Sequence, residues 1–279
     1  MKKFSVEQQK IIKEIGTGLN NVLTASSTVW EPLYTVEEAE WIILGIPYIK
    51  KTRAVKDGCE KAPKEIRKWS RDFWTYDPKT GRDLFDEKIV DLGDIKAGSF
   101  ESTFSNARMI IDLIRKKNKN AKILFLGGDH AVSEMTVKSI KPKSALVFDA
   151  HMDLMNEYDK SGHSRACTSR RIYEQTGSLA LRGIRAACLE EHEYAKKNKI
   201  DWRSDLKELP REAEYMSIDI DVLDPCYIGT GAPEAFGATF EQLAEAVRSV
   251  KFKYCDIVEW IPPAGYPYII QLVKEILAK

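Results

Sequence analysis

Residues 122–150 read KILFLGGDHAVSEMTVKSIKPKSALVFDA. Two apolar runs, 122–127 (KILFLG) and 144–150 (SALVFDA), flank a helix-like segment at 131–140. Runs this apolar fit strands buried on both faces. Outward from this unit the pattern repeats. Candidate strands lie at 41–47, 88–93, 179–185, 215–221 and 254–260. Helix-like segments lie near 61–72, 101–118, 166–176, 190–198, 240–250 and 266–278. Thr239 and Gln242 fit a capping box ahead of Leu243, Ala246, Val247 and Val250. Such alternation predicts an α/β fold with a mainly parallel sheet. An open three-layer sandwich and a (β/α)8 barrel both accommodate it. No repeat, low-complexity tract or linker interrupts the chain, which reads as one domain over residues 1–279.

The 279 residues include 43 Lys or Arg and 42 Asp or Glu, a net charge of +1. A balance so close to zero gives no global electrostatic case for nucleic acid or an anionic membrane as partner. No apolar run approaches the roughly 18–20 residues of a membrane span. The N-terminal segment lacks the unbroken apolar stretch of a secretory signal. Ile11, Ile12, Ile15, Leu19, Val22 and Leu23 instead recur at helical spacing behind a Ser5/Gln8 capping box. The basic stretch 115–122 reads as a solvated helix end and loop, and Trp30, Trp41, Trp69 and Trp74 read as core or interface, core first. Five scattered cysteines without a CxxC pair argue against a disulfide framework or a thiolate zinc site, and make a cytoplasmic location the default.

Three segments place polar residues at the ends of apolar strands, where α/β sheets hold their ligands. In 123–130 (ILFLGGDH), paired glycines lead into Asp129 and His130. In 146–153 (LVFDAHMD), Asp149, His151 and Asp153 are spaced i, i+2, i+4 and would share one face of an extended chain. In 217–225 (SIDIDVLDP), Asp219 and Asp221 share a face opposite Ile218 and Ile220, with Asp224 close behind. Carboxylates in such apolar surroundings are costly unless a cation joins them. His130, Asp149, His151, Asp153, Asp219 and Asp221 together supply four carboxylates and two imidazoles, a set that balances two divalent cations. An N/O set dominated by carboxylates favours a hard or borderline ion such as Mn²⁺. Two such ions would lie about 3.5–4 Å apart.

With these motifs in view, the sequence resembles the ureohydrolase family of arginases and agmatinases. Its GGDH, DAHxD and SxDxDxxDP signatures are similar to 127–130, 149–153 and 217–225, in the same order. Lesser matches run from Gly45-Ile46-Pro47 through Asp91-Leu92-Gly93-Asp94 and Gly183-Ile184-Arg185 to Glu259. The resemblance implies a three-layer αβα sandwich around a mainly parallel eight-stranded sheet. It implies two Mn²⁺ ions held by His130, Asp149, His151, Asp153, Asp219 and Asp221. The implied reaction is attack of a metal-bridging hydroxide on a guanidinium carbon, giving urea and an amine. Asp153 would help pass a proton to the leaving amine, and Glu259 would hold the guanidinium. Agmatinases fit best. Residues 157–158 and 170–171 resemble their loop after DAHxD, and 229–234 (GTGAPE) places Glu234 where they carry Glu. A small guanidino substrate and a homo-oligomer, trimer or hexamer, are implied as partners.

The loop 161–171 (SGHSRACTSRR) departs from the family pattern. Counted back from Arg170-Arg171, the family's proton-shuttling His falls on Arg165, and His163 lies two residues earlier. Either a remodelled loop delivers His163 as the catalytic shuttle, or Arg165 replaces it. Segments 51–67 and 226–229 also match only partly, and both would shape substrate access. The expected activity is cleavage of agmatine to putrescine and urea. The alternatives are an arginase, a guanidinobutyrase, another guanidino or formimino hydrolase, or a metal-binding homologue without catalysis.

Overall fold

The structure, a computed structural model, describes Leu23 and residues 34–51, 56–78 and 81–279. Of the expected helix over 11–23 only Leu23 is described, and it forms an isolated antiparallel bridge with Ile95; the rest of that helix, its Ser5/Gln8 cap and Trp30 lie outside the described residues. In chain order the strands are β1 (Trp41–Ile46), β2 (Tyr76–Asp77), β3 (Arg82–Asp83), β4 (Ile89–Asp94) and β5 (Lys122–Gly127). β6 (Ala145–Phe148), β7 (Leu179–Arg182), β8 (Asp201–Arg203), β9 (Tyr215–Asp219) and β10 (Tyr254–Val258) follow. β2 and β3 pair as a small antiparallel ribbon. The other eight form one sheet in the order β4-β1-β5-β10-β9-β6-β7-β8. Each of its ladders is parallel. β4 and β8 are edges, so the sheet is open and the barrel alternative is set aside.

The helices are α1 (Ala62–Ser70), α2 (Phe100–Lys117), α3 (Ala131–Ile140) and α4 (Thr168–Thr176). α5 (Leu189–Asn198), α6 (Phe240–Ser249) and α7 (Tyr266–Leu277) complete the set among the described residues. Strand side chains point alternately to opposite faces, and the core divides accordingly. Ile42, Leu44, Ile123, Phe125 and Val147 pack with Ile110, Ile111 and Met135 of α2 and α3. Ile43, Leu124, Leu126, Phe148 and Met216 pack with Ile66, Leu243, Val247, Ile269 and Ile276 of α1, α6 and α7. Covering both faces explains why these strands read as continuous apolar runs. The three layers follow.

Local chemistry fixes the ends of these elements. Thr239 Oγ1 accepts from Gln242 N at 3.2 Å while Gln242 Oε1 accepts from Thr239 N at 2.8 Å. This capping box starts α6 where the sequence predicts, a device worth about 1 kcal/mol. α1 is tied to the sheet by Arg67, which donates to both oxygens of Asp91 at 2.8 and 2.9 Å and also to Asp94. The Asp91–Asp94 match is therefore a buried structural ion cluster.

The sheet is assembled in halves. β4, β1 and β5 form one, and β6, β7 and β8 the other. The last two strands, β9 and β10, fill the gap between β5 and β6. A crevice at the strand ends belongs at such a change of direction. The four central strands, β5-β10-β9-β6, are the ones that precede His130, Glu259, Asp221 and Asp149.

Three expectations are corrected here. Asp201–Arg203 was not among the expected strands, being short, polar and at an edge. Trp74 is 88% exposed rather than core, whereas Trp41 is fully buried. The extended runs at 144–150 and 215–221 stop early, at Phe148 and Asp219. The residues beyond them converge by turns, not by strand alternation.

Candidate metal centre

β5 ends in Gly127 and turns through Gly128 into α3. A Cβ on Gly128 would stand 1.9 Å from the Tyr48 carbonyl oxygen, so no larger residue fits this crossing. The turn sets His130 at the start of α3, fully buried. Its Nδ1 faces three carboxylates: Asp153 Oδ2 at 2.8 Å, Asp149 Oδ2 at 3.1 Å and Asp219 Oδ2 at 3.4 Å. Its Nε2 lies 3.1 Å from Ser217 Oγ, and Ser217 donates to Asp256 Oδ1 at 2.7 Å. Ser217 therefore accepts from Nε2–H, which leaves Nδ1 for the carboxylates, and for a metal once its proton has left. Tyr215 bonds to the other Asp256 oxygen and fixes the relay from behind.

β6 releases the chain at Phe148. Asp149 Oδ1 turns back to accept from His151 N at 2.6 Å. His151 itself bridges Ala186. Asp153 adopts a left-handed backbone, φ 53°, a conformation that costs free energy for a non-glycine residue and is found at functional sites. At the end of β9 a 3-10 turn, Ile220–Val222, carries Asp221, and Asp219 Oδ1 accepts from Asp221 N at 3.0 Å. Asp221 Oδ1 accepts from Ala150 N at 2.9 Å, and its Oδ2 lies 2.9 Å from His151 Nδ1. The two segments thus clamp each other.

The outcome is two groups of three. Ligand atoms of His130, Asp149 and Asp153 lie within 4.8 Å of one another, and so do those of Asp149, His151 and Asp221. Asp149 belongs to both, and Asp219 stands beside the first. Asp149 Oδ2 is buried with no hydrogen bond among the described residues. Burial and neighbouring negative charge push the carboxyls of Asp153, Asp219 and Asp221 up, Asp153 to about 7. Asp149 is buried too, but its two histidines hold it below the ordinary range. Both imidazoles are in turn driven up by their carboxylates, against the effect of burial. Protons stand where cations would. Four acids crowded together in a buried site around Asp149 fit a pair of divalent ions.

Glu259 follows β10 with φ 65°, also left-handed. Its Oε1 accepts from His130 N at 2.8 Å, which places it beside the first group. Burial pushes its carboxyl up to about 8, although Arg165 opposes the rise. Glu234 is partly exposed, and its Oε1 lies 3.6 Å from His151 Nε2 at the second group.

The ring of the expected shuttle, His163, is engaged outside the six candidate ligands. Its ring stacks on Phe100 at 4.3 Å, and its Nδ1 meets Glu134 Oε1 at 2.8 Å. A 3-10 turn, Arg165–Cys167, starts two residues later and turns Arg165 inward instead. Arg165 Nη1 donates to Glu259 Oε2 at 2.8 Å.

Two supporting features were missed from sequence. One is the Ser217–Asp256 relay, whose signal was an acid inside the apolar run 254–260. The other is Arg185, which donates to the carbonyls of Asp221, Glu234 and Ala235 at 2.7, 2.9 and 2.9 Å. It ties the Glu234 loop to the Asp221 turn. The cavity of about 530 Å³ lined by Arg185, Lys207 and Phe236 includes none of the six candidate ligands.

Comparison with known proteins gives the family. The model of the arginase family matches residues 39–267. The N(1)-aminopropylagmatine ureohydrolase of Thermococcus kodakarensis is 35% identical over 230 residues, covering 78% of this chain and 80% of that protein. The agmatinase of Pyrococcus horikoshii is 35% identical over 229 residues, covering 78% and 81%. The solved agmatine ureohydrolase of Thermoplasma volcanium superposes with a TM-score of 0.81 at 24% identity, covering 94% and 97%, and so shares the fold. By family match, relatives and architecture together, this chain belongs to the arginase family.

Proposed function

We propose that the chain hydrolyses the guanidino group of a small aliphatic amine, with agmatine giving putrescine and urea as the first choice. The observation that carries the reading is the pair of His/Asp groups sharing Asp149, with Glu259 at their edge. His130, Asp149, His151, Asp153, Asp219 and Asp221 would hold two Mn²⁺ ions. When bound, such ions supply Lewis acidity and a nucleophile at neutral pH.

The remaining work falls to this chain's side chains. The Glu259 carboxylate pairs with the planar guanidinium by charge-assisted hydrogen bonds. Asp153, in the group with His130 and Asp149, would pass the proton released by the attacking water to the leaving nitrogen. With His163 engaged by Glu134, Asp153 is the proton carrier of this proposal. Glu234, partly exposed and held by the Arg185-braced loop, meets the distal ammonium. Because one relative is named N(1)-aminopropylagmatine ureohydrolase, that longer amine is the second candidate.

The same proposal takes residues 1–279 as one domain, a cytoplasmic location and assembly as a trimer or hexamer. No helix of the described residues is long and apolar enough to cross a membrane.

Urea release after Mn²⁺ loading is the test, with agmatine, aminopropylagmatine, arginine and guanidinobutyrate side by side. Turnover of either amine above the two acids supports the proposal. No urea from any of the four, at full metal occupancy, rejects it.

A further inference from the structure

Arg165 is nine-tenths buried and sits against the carboxylate that a guanidinium substrate requires. Its Nη1 donates to Glu259 Oε2 at 2.8 Å, and its Nη2 lies 3.7 Å from Asp129 Oδ2. The other Glu259 oxygen is already taken by His130 N. The Asp129 oxygen is likewise taken, by Lys50 N at 2.6 Å. Both oxygens of Glu259 are thus engaged by the chain itself, one of them by a guanidinium.

The same side chain is under-satisfied. Arg165 Nε and Nη2 are buried and have no hydrogen-bond acceptor among the described residues. Buried donors of this kind are costly and call for an acceptor. A substrate guanidinium presents five N–H donors and no acceptor. Approaching Glu259, it meets a like charge and two spare donors.

We infer that Arg165 is this chain's internal occupant of the guanidinium subsite and sets substrate specificity by competing with cationic substrates for Glu259. The inference rests on the reading that Glu259 holds the substrate's guanidinium. Arg165 is a specificity-determining residue in this account. A cationic guanidinium binds only by displacing the Arg165–Glu259 pair, whereas a ligand with an oxygen acceptor near Arg165 satisfies its free N–H groups.

Calorimetric binding of agmatine to the Mn²⁺-loaded full chain at pH 8 tests this, comparing wild type, Arg165→Gln, Arg165→Lys and Glu259→Gln. Metal content and melting temperature are read for each. Arg165→Gln is expected to tighten agmatine by about tenfold or more, a modest figure for removing a like charge at a binding carboxylate. Arg165→Lys keeps the charge and gains less. Guanidinobutyrate carries the same guanidinium and is expected to bind more tightly in Arg165→Gln as well. If that variant fails to fold, Arg165→His and Arg165→Lys carry the comparison. A folded, metal-replete variant lacking the arginine that binds agmatine no better than wild type overturns the proposal. If Glu259→Gln leaves agmatine binding unchanged, the reading of Glu259 itself fails, and the two failures are distinct.

Discussion

Replacing Ser217 with alanine removes the hydroxyl that accepts from His130 Nε2 at 3.1 Å and donates to Asp256 Oδ1 at 2.7 Å. The Nε2–H is left in a fully buried site without the hydroxyl that accepted it. A buried donor without a partner costs about 1–3 kcal/mol. The imidazole can avoid that cost by shedding the Nε2 proton and keeping the one on Nδ1, where Asp153 Oδ2 stands at 2.8 Å. That tautomer occupies the lone pair needed for a metal. Losing such a support weakens metal binding about 10–100-fold, or roughly 1.4–2.7 kcal/mol. The two estimates agree in size. Titration of metal-free Ser217→Ala with Mn²⁺, followed by the free-ion paramagnetic resonance signal, measures the change. Tyr215→Phe acts one bond further out, through Asp256, and should have the smaller effect. Wild-type Mn²⁺ affinity in folded Ser217→Ala would refute the tautomer argument.

Asp149→Asn should bring bound divalent ion close to zero rather than halve it, because Asp149 serves both groups; elemental analysis of the purified variant reads the stoichiometry. In the metal-free protein, Asp153 and Glu259 are pushed up to about 7 and about 8, burial being the main cause. Between about pH 5 and pH 8 the folded chain therefore holds protons that the unfolded chain has released, so stability falls as pH rises. A melting temperature that is flat or rising across that window would contradict this. Gly128→Ala forces a Cβ to 1.9 Å from the Tyr48 carbonyl oxygen and should destabilise the fold by about 3 kcal/mol or more, measured by urea denaturation.

The central strands were legible because both faces are covered, so each reads as an unbroken apolar run. β8 was not, since a three-residue edge strand, Asp-Trp-Arg, has no burial to write into its sequence. Strand order was hidden as well. Nothing local in 215–221 or 254–260 says that these late strands fill the gap between β5 and β6. The acids and histidines of the site stood out because their residue types are out of place beside apolar strands. The manner of their convergence did not. Alternation in an extended chain was expected for 149–153, yet the chain leaves the strand at Phe148 and turns through a left-handed Asp153. Whether residue 163 or 165 faces the site depends on a three-residue 3-10 turn, which spacing alone leaves open. Ser217, Asp256 and Arg185 act on the site through other groups, and such roles show only once partners are placed.

The central claim is a two-ion centre built on Asp149. Crystals of the Mn²⁺-loaded protein, measured with anomalous scattering at the manganese edge, test it directly. The account predicts two anomalous peaks, one among His130, Asp149, Asp153 and Asp219 and one among Asp149, His151 and Asp221. A single peak, or none at these residues under saturating metal, would contradict it.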